Sequence, residues 1–123
     1  MRVWTKKPLG TFHFDYMDND LKTLQDFVGG YIETLTIKDE PDREEWAVII
    51  CNEEGLLYDD FTENITIGGH TFVGNIIICG QDGDEFTDAP QWVSEFTIAY
   101  NRHSGLYSPC VELFEEAMSG EPV

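Results

Sequence analysis

Two short runs of apolar residues constrain the fold more than any other feature of the sequence. Trp46 to Cys51 and Asn75 to Cys79 are almost uninterrupted by polar side chains. A strand with one face in water alternates apolar and polar residues, whereas a strand covered on both faces reads as a continuous apolar run. Both runs are therefore predicted to be strands buried on both faces of a sheet.

Shorter segments of alternating apolar and polar residues predict hairpins around these strands. Each pair of segments is joined by turn residues, since proline fixes φ and glycine accepts positive φ. The predicted hairpins are residues 2–16 around the turn 7–10, residues 46–58 around the turn 52–55, and residues 65–73 around Gly68-Gly69. Tyr31 to Ile37 also alternates and is rich in β-branched residues, which predicts a further strand.

A first helix is predicted over Leu21 to Val28, because Leu21, Leu24 and Val28 recur at helical spacing. An acidic or amide residue among positions 18–20 would cap its start. Gly29-Gly30 would end it. We expect one of these glycines to adopt the left-handed conformation of a helix C-cap, which glycine does with the least strain.

Two more helices are predicted in the last third of the chain. Pro90 would open the first, with Thr87 or Asp88 as its cap, and Ser108-Pro109 would open the second. The first segment also contains an alternation that fits a strand, but helical spacing is favoured. The apolar stripes are Trp92, Phe96, Ala99 and Tyr100 in the first helix, and Val111, Phe114 and Met118 in the second.

Together these elements predict an α+β fold in which a mixed, mostly antiparallel sheet is flanked by two or three helices. The length of 123 residues and the absence of a dividing linker favour a single acidic domain over residues 1–123. The polar stretches Lys38 to Glu45 and Gln81 to Asp88 are predicted to be exposed loops.

Charge narrows the class of function. The chain has 24 Asp and Glu against 7 Lys and Arg, giving a net charge of −17. Such a field repels nucleic acid and anionic membranes and attracts basic partners, so direct nucleic-acid or membrane binding is disfavoured. No apolar run is long enough for a membrane span, and the N-terminus lacks the apolar core of a signal peptide. Three cysteines without a Cys-x-x-Cys pair agree with reduced thiols and a cytoplasmic location.

No residue pattern indicates catalysis or a resident metal. The histidines, His13, His70 and His103, have neither the i, i+4 spacing of a helical zinc site nor a cysteine nearby. Asp82 to Glu85 departs from the calcium-loop order because its glycine comes second. Gly68-Gly69 precedes a strand rather than a helix, so it does not build a phosphate cradle. We therefore expect a protein that is not an enzyme and has no catalytic residue, metal site or cofactor.

Two stretches resemble a known family. Leu24 to Glu33, with Val-Gly-Gly-Tyr-Ile-Glu at its end, and Cys51 to Gly55, with Asn-Glu-Glu-Gly, are similar to the domain of unknown function 3846 family. The resemblance covers roughly Leu21 to Asp88. It implies a setting in bacteriophages or mobile elements, and it carries no established activity or catalytic residues.

The acidic residues crowd into loops, and this suggests a binding surface. Carboxylates fixed on a rigid domain could take the place of DNA phosphates in a basic cleft. We therefore expect an inhibitor, a possible DNA mimic of the anti-restriction or anti-CRISPR kind, that binds a basic host protein which handles nucleic acid. The candidate binding residues are Asp39, Glu40, Asp42, Glu44, Glu45, Glu53, Glu54, Asp59 and Asp60. A third acidic set, at Asp82, Asp84, Glu85 and Asp88, is interpreted as a solvated loop.

Two other functions remain open at this point. One is a small-ligand binder or sponge with a pocket near Tyr31, Asn52 and Phe61. The other is an acidic structural or assembly protein. The acidic loops also have an explanation without a binding function, since loops carry solvated residues and a high net charge keeps a protein in solution. Only the arrangement of the carboxylates on the folded chain distinguishes these readings.

Overall fold

The structure, a computed structural model, describes residues 1–38, 45–54 and 62–103, and the backbone of 112–113. Within these ranges it contains two helices, which pack on a β-sheet. The strands are β1 (Arg2–Lys6), β2 (Phe12–Tyr16), β3 (Ile32–Lys38), β4 (Ala47–Asn52), β5 (Glu63–Ile67), β6 (His70–Val73), β7 (Ile76–Asp82), β8 (Glu85–Thr87) and β9 (Glu112–Leu113), and the helices are α1 (Leu21–Val28) and α2 (Gln91–Arg102).

The main sheet has the strand order β2-β1-β7-β4-β3-β9, with β8 paired to β7, and β5 and β6 form a separate ribbon. Every ladder among the described strands is antiparallel. The predicted α+β class is therefore confirmed. The two apolar runs are the central strands β4 and β7, with Ile49 opposite Ile78. Ala47 to Cys51 of β4 are buried, as the apolar run predicted, and the buried strand also includes Asn52, which was expected in the turn.

Each face of the sheet has its own cover. On one face, α2 and the β5–β6 ribbon enclose a core that contains Trp4, Ile49 and Phe96. On the other face, α1 packs Leu24 and Val28 against the alternate residues of the same strands. The two layers explain why β4 and β7 have no polar alternation, since both faces of these strands lie inside the protein.

The first helix begins and ends as predicted. The Asp20 carboxylate accepts a hydrogen bond from the Thr23 backbone N–H at 3.1 Å and caps the helix. The Thr23 hydroxyl also donates to this carboxylate, and these bonds lower the pKa of Asp20. At the other end Gly29 has φ 87°, and its N–H donates to the Gln25 carbonyl. The expectation of a left-handed glycine is confirmed at Gly29.

The structure corrects three local predictions. Gln81 to Asp88 is not a loop: β7 continues to Asp82 and turns through Gly83, at φ 63°, into β8. Asp88 does not cap α2, whose N-cap is Pro90 without a side-chain bond, because its carboxylate binds Arg2 instead. The predicted last helix is wrong at residues 112–113, which pair with the edge of β3. The short strand predicted at residues 56–58 falls outside the described residues.

The antiparallel register gives the sheet two ends with different chemistry. Ala47 of β4 lies opposite Gly80 of β7, so the start of β4 and the β7–β8 turn share one end. Ile32 of β3 lies opposite Asn52, so the start of β3 and the end of β4 share the other. We call the first the acidic end and the second the amide end, for the residues described below.

Candidate functional site

The acidic end brings together carboxylates that are far apart in sequence. Glu45 precedes β4, and Asp82, Asp84 and Glu85 form the β7–β8 turn at the same end of the sheet. All four side chains are exposed, and none makes an ion pair with another described residue. These four residues define the acidic surface.

An open depression of about 300 Å³ lies within the acidic end. Glu45, Trp46 and Asp82 line it, with the glycines of β7 and its turn. The Trp92 indole N–H donates to the Glu45 carbonyl at 3.1 Å, which fixes this part of the chain to α2. The ammonium of Lys38 lies 5.4 Å from the centre of the Trp46 ring. The backbone at Glu45, which carries part of the acidic surface, is therefore fixed by a hydrogen bond to α2.

Asp88 lies beside this surface but is already paired. Its carboxylate accepts from the Arg2 backbone N–H at 2.7 Å and from the Arg2 guanidinium at 2.9 Å. The backbone bond and then the guanidinium lower the pKa of Asp88. This residue therefore joins β1 to the segment after β8 and is not part of the acidic surface.

The amide end uses its polar side chains differently. Asn52, at the end of β4, is buried, and its amide donates to the Val28 carbonyl at 3.2 Å. Its side-chain oxygen accepts from the Glu54 N–H at 2.7 Å. A Cβ added at Gly30 would lie 2.8 Å from the Asn52 amide nitrogen. The Gly-Gly segment of the family resemblance and Asn52 to Glu54 of the second segment thus meet here, at the C-terminus of α1.

The side chains of three further asparagines also form hydrogen bonds with backbone groups at this end. The Asn75 amide donates to the Phe27 carbonyl at 3.0 Å, again at the end of α1. Asn101 of α2 bonds both backbone groups of Phe12, accepting from its N–H at 2.8 Å and donating to its carbonyl at 2.9 Å. Asn64 donates to the carbonyls of Lys6 and Gly74 at 2.8 and 2.7 Å. Each links segments distant in sequence.

Lys6 is a buried cation in this network. Its side chain is 1% exposed, and its ammonium donates to the Asn64 side-chain oxygen at 2.8 Å. The ammonium also lies 5.5 Å from the centre of the Tyr100 ring. Desolvation lowers the pKa of Lys6. With no carboxylate among its described partners, Lys6 is stabilised by neutral oxygens and a π face, and it is closed off from solvent.

The structure separates the predicted binding residues rather than gathering them. Glu45 belongs to the acidic end, whereas Glu53 and Glu54 are exposed at the amide end, beyond the other terminus of β4. The remaining candidates lie outside the described residues: Asp39, Glu40, Asp42, Glu44, Asp59 and Asp60. Sequence reasoning treated Asp82, Asp84 and Glu85 as a solvated loop and did not place them beside Glu45; that needed the register of β4 with β7.

The sequence-based ligand pocket finds little support at Asn52, whose amide is occupied by backbone partners. Tyr31 is 69% exposed and Phe61 lies outside the described residues. Cys51 and Cys79 are free, buried thiols, as expected, and burial raises the pKa of both to about 12. Neither thiol is therefore a nucleophile at neutral pH. Cys110 lies outside the described residues.

Comparison with known proteins identifies the family of the chain. The family profile called Domain of unknown function (DUF3846) matches residues 1–101. The chain belongs to this family, as its Gly-Gly and Asn-Glu-Glu-Gly segments predicted. No curated protein and no solved structure matches it. Among the described residues no helix is long and apolar enough to cross a membrane, and no group of three or more His, Cys, Asp or Glu side chains is placed to hold a metal ion.

Proposed function

We propose that this protein is a non-enzymatic acidic binding protein of phage or mobile-element type that inhibits a basic host protein which handles nucleic acid. The proposed contact is the acidic surface. The observation that supports it is the meeting of Glu45 with the β7–β8 turn, produced by the register of β4 and β7. These carboxylates would occupy phosphate positions in the partner, as an anti-restriction or anti-CRISPR inhibitor would require.

The fixed backbone favours this role over a purely solvating one. Trp92 holds the Glu45 carbonyl, and the β7–β8 turn continues the central strand of the sheet. Carboxylates on a fixed backbone lose little conformational entropy on binding, and complementary charge accelerates association. Binding should weaken steeply with salt, because exposed charges are screened over roughly 8 Å at physiological ionic strength.

Glu53 and Glu54 are assigned a secondary part. They lie beyond the far end of β4, whose six residues span roughly 20 Å at about 3.3 Å per residue. A single small cleft does not reach both sets. A partner that binds through the acidic surface therefore does not need Glu53 and Glu54.

The test is capture followed by displacement. The protein is immobilised, exposed at low salt to a lysate of the bacterium that carries the gene, and washed with short duplex DNA. The proposal expects a basic nucleic-acid-handling protein to be held and then released by the DNA. A held protein that does not bind nucleic acid, or one that duplex DNA leaves in place, would contradict mimicry of phosphates.

Two matched variants locate the contact. The acidic-end variant carries Glu45→Gln, Asp82→Asn, Asp84→Asn and Glu85→Gln. The control variant carries Glu33→Gln, Glu53→Gln, Glu54→Gln and Glu63→Gln, all exposed and near the amide end. Each removes four negative charges from a net charge of −17. Capture should fail with the acidic-end variant and persist with the control.

A further inference from the structure

A groove lies on the α1 side of the sheet, away from both sets of acidic residues. The helix α1 packs mainly over β3, β4 and β7, and at the outer hairpin β1–β2 the side chains of Thr11, His13 and Asp15 remain exposed on this face. The cross-strand pair of Thr5 and His13 faces this space. Phe27 of α1 forms the opposite wall, and the open volume is about 530 Å³.

The lining of this groove differs in charge from the rest of the molecule. The whole chain has 24 acidic residues, yet the groove has Asp15 as its one acid beside Lys7 and His13. The Thr5 and Thr11 hydroxyls also line it. An ammonium, two hydroxyls and an imidazole N–H form a set of donors suited to an oxyanion. The negative charge elsewhere is screened over roughly 8 Å at physiological ionic strength.

The hairpin register orders these groups along the groove. Lys7 and Thr11 lie at the turn, and the Thr5–His13 pair follows about 7 Å further along, two residues at roughly 3.3 Å each. Asp15 comes one further step of about 7 Å along the same face. Phe27 of α1 lies across the groove from this row. Donors and then an acceptor therefore follow one another along the hairpin, and an aromatic side chain lies across the groove from them.

We propose that the groove binds a nucleoside monophosphate. The phosphate lies between Lys7 and His13, the base stacks against Phe27, and an exocyclic amine of the base donates to Asp15. The spacing between the donors and Asp15 along the hairpin fits a ligand with a phosphate at one end and a hydrogen-bond donor at the other, and stacking of a base on an aromatic side chain contributes about 1–3 kcal/mol. This site is independent of the acidic surface and of the basic partner proposed above.

The test uses adenosine 5′-monophosphate as the probe, titrated into the whole protein and followed by NMR. Signals of Thr11, His13 and Phe27 should shift together with one dissociation constant. Lys7→Gln should weaken that constant about tenfold, the loss of one charge-assisted hydrogen bond. Lys22→Gln removes an exposed lysine from the outer face of α1 and is the matched control. It should change the constant by less than about twofold.

Three further probes and two further variants identify which part of the nucleotide each residue binds. Adenosine should bind more weakly than the monophosphate, and inorganic phosphate should shift Lys7 and His13 but not Phe27. Inosine 5′-monophosphate, which has a carbonyl where adenosine has the amine, should bind more weakly, and Asp15→Asn should remove that preference. Phe27→Leu should weaken the monophosphate and leave inorganic phosphate unchanged.

Four results would overturn the proposal. They are the absence of groove shifts at millimolar probe, equal loss in Lys7→Gln and Lys22→Gln, binding of inorganic phosphate as tight as that of the nucleotide, and equal binding of the adenine and inosine nucleotides. Lys7 is on an exposed turn, so its variant remains informative even if Phe27→Leu fails to fold.

Discussion

The two ends of the sheet hold polar residues in opposite ways. At the amide end, the side chains of Asn52, Asn64, Asn75 and Asn101 are bonded to backbone groups. At the acidic end, the four carboxylates of the acidic surface point into water and make no ion pair among the described residues. The first arrangement stabilises the fold, and the second leaves charge available for a partner.

Backbone carbonyls that lack a backbone donor explain why the amide end uses asparagine rather than acidic residues. At the amide end the carbonyls of Val28, Phe27 and Gly74 need donors. A carboxylate only accepts hydrogen bonds, whereas an asparagine amide supplies two donors and an acceptor. Acidic side chains are therefore unsuited to these positions, although the chain is acidic elsewhere. At the acidic end the carbonyls of Glu45 and Phe86 take their donors from Trp92 and Asn19, so the four carboxylates have no part in this bonding.

The largest expected effect follows from removing one amide. Asn52→Ala leaves the Val28 carbonyl and the Glu54 N–H without their partner in a buried site, and it should lower the free energy of unfolding by about 2 kcal/mol. Asn19→Ala at the acidic end, where an exposed amide bonds the Phe86 carbonyl, should cost about 0.5 kcal/mol. Urea unfolding of the two variants measures these losses, and equal losses of unfolding free energy would contradict the difference between the two ends.

A second prediction couples Gly30 to the same amide. A methyl group at Gly30 would lie 2.8 Å from the Asn52 amide nitrogen and displace it from Val28. Gly30→Ala should therefore destabilise the protein by about 1.5 kcal/mol, and by about 1 kcal/mol less when Asn52 is already alanine. A double-mutant cycle in urea measures this, and strictly additive costs would show that the two residues act separately.

Lys6 should give the amide end a distinctive pH dependence. Its pKa in the folded protein lies below the ordinary value, while in the unfolded chain lysine titrates near pH 10.4. Between the two pKa values the unfolded chain binds more protons, so the contribution of Lys6 to stability rises with pH, by less than about 1.4 kcal/mol per unit.

The comparison is between wild type and Lys6→Met, unfolded in urea from about pH 8 to pH 10. Cys51 and Cys79 have pKa values of about 12 in the folded protein, so their contribution to the free energy of unfolding falls above about pH 8.5. This fall is the same in wild type and Lys6→Met, so the difference between the two profiles reports Lys6 alone. Exposed Lys22→Met should follow the wild type. Parallel profiles for all three would show that the Lys6 ammonium is not desolvated.

The smallest effect is expected at the acidic end. The acidic-end variant removes repulsion among exposed carboxylates and should raise the free energy of unfolding by at most about 0.5 kcal/mol at low salt. Raising NaCl from low to physiological levels should increase the melting temperature of the wild type more than that of the variant. A flat wild-type curve would mean that opposite charges are already interleaved.

The elements with strong local signals could be predicted from sequence. The apolar runs defined β4 and β7, and helical spacing with Gly29 defined α1, because burial and cap geometry are written into neighbouring residues. Residues 112–113 could not, since their partner on β3 lies far away in sequence. The acidic surface was missed for the same reason: it depends on which strand lies beside β4.

The most direct test of the division between the two ends is the affinity of the DNA-displaceable partner for the two matched variants. Binding is measured by titration calorimetry with the purified partner, beside urea unfolding of each variant. The account predicts at least tenfold weaker binding for the acidic-end variant and less than twofold change for the control, with both folded. Equal weakening in both would contradict it, because net charge rather than the acidic end would then determine binding.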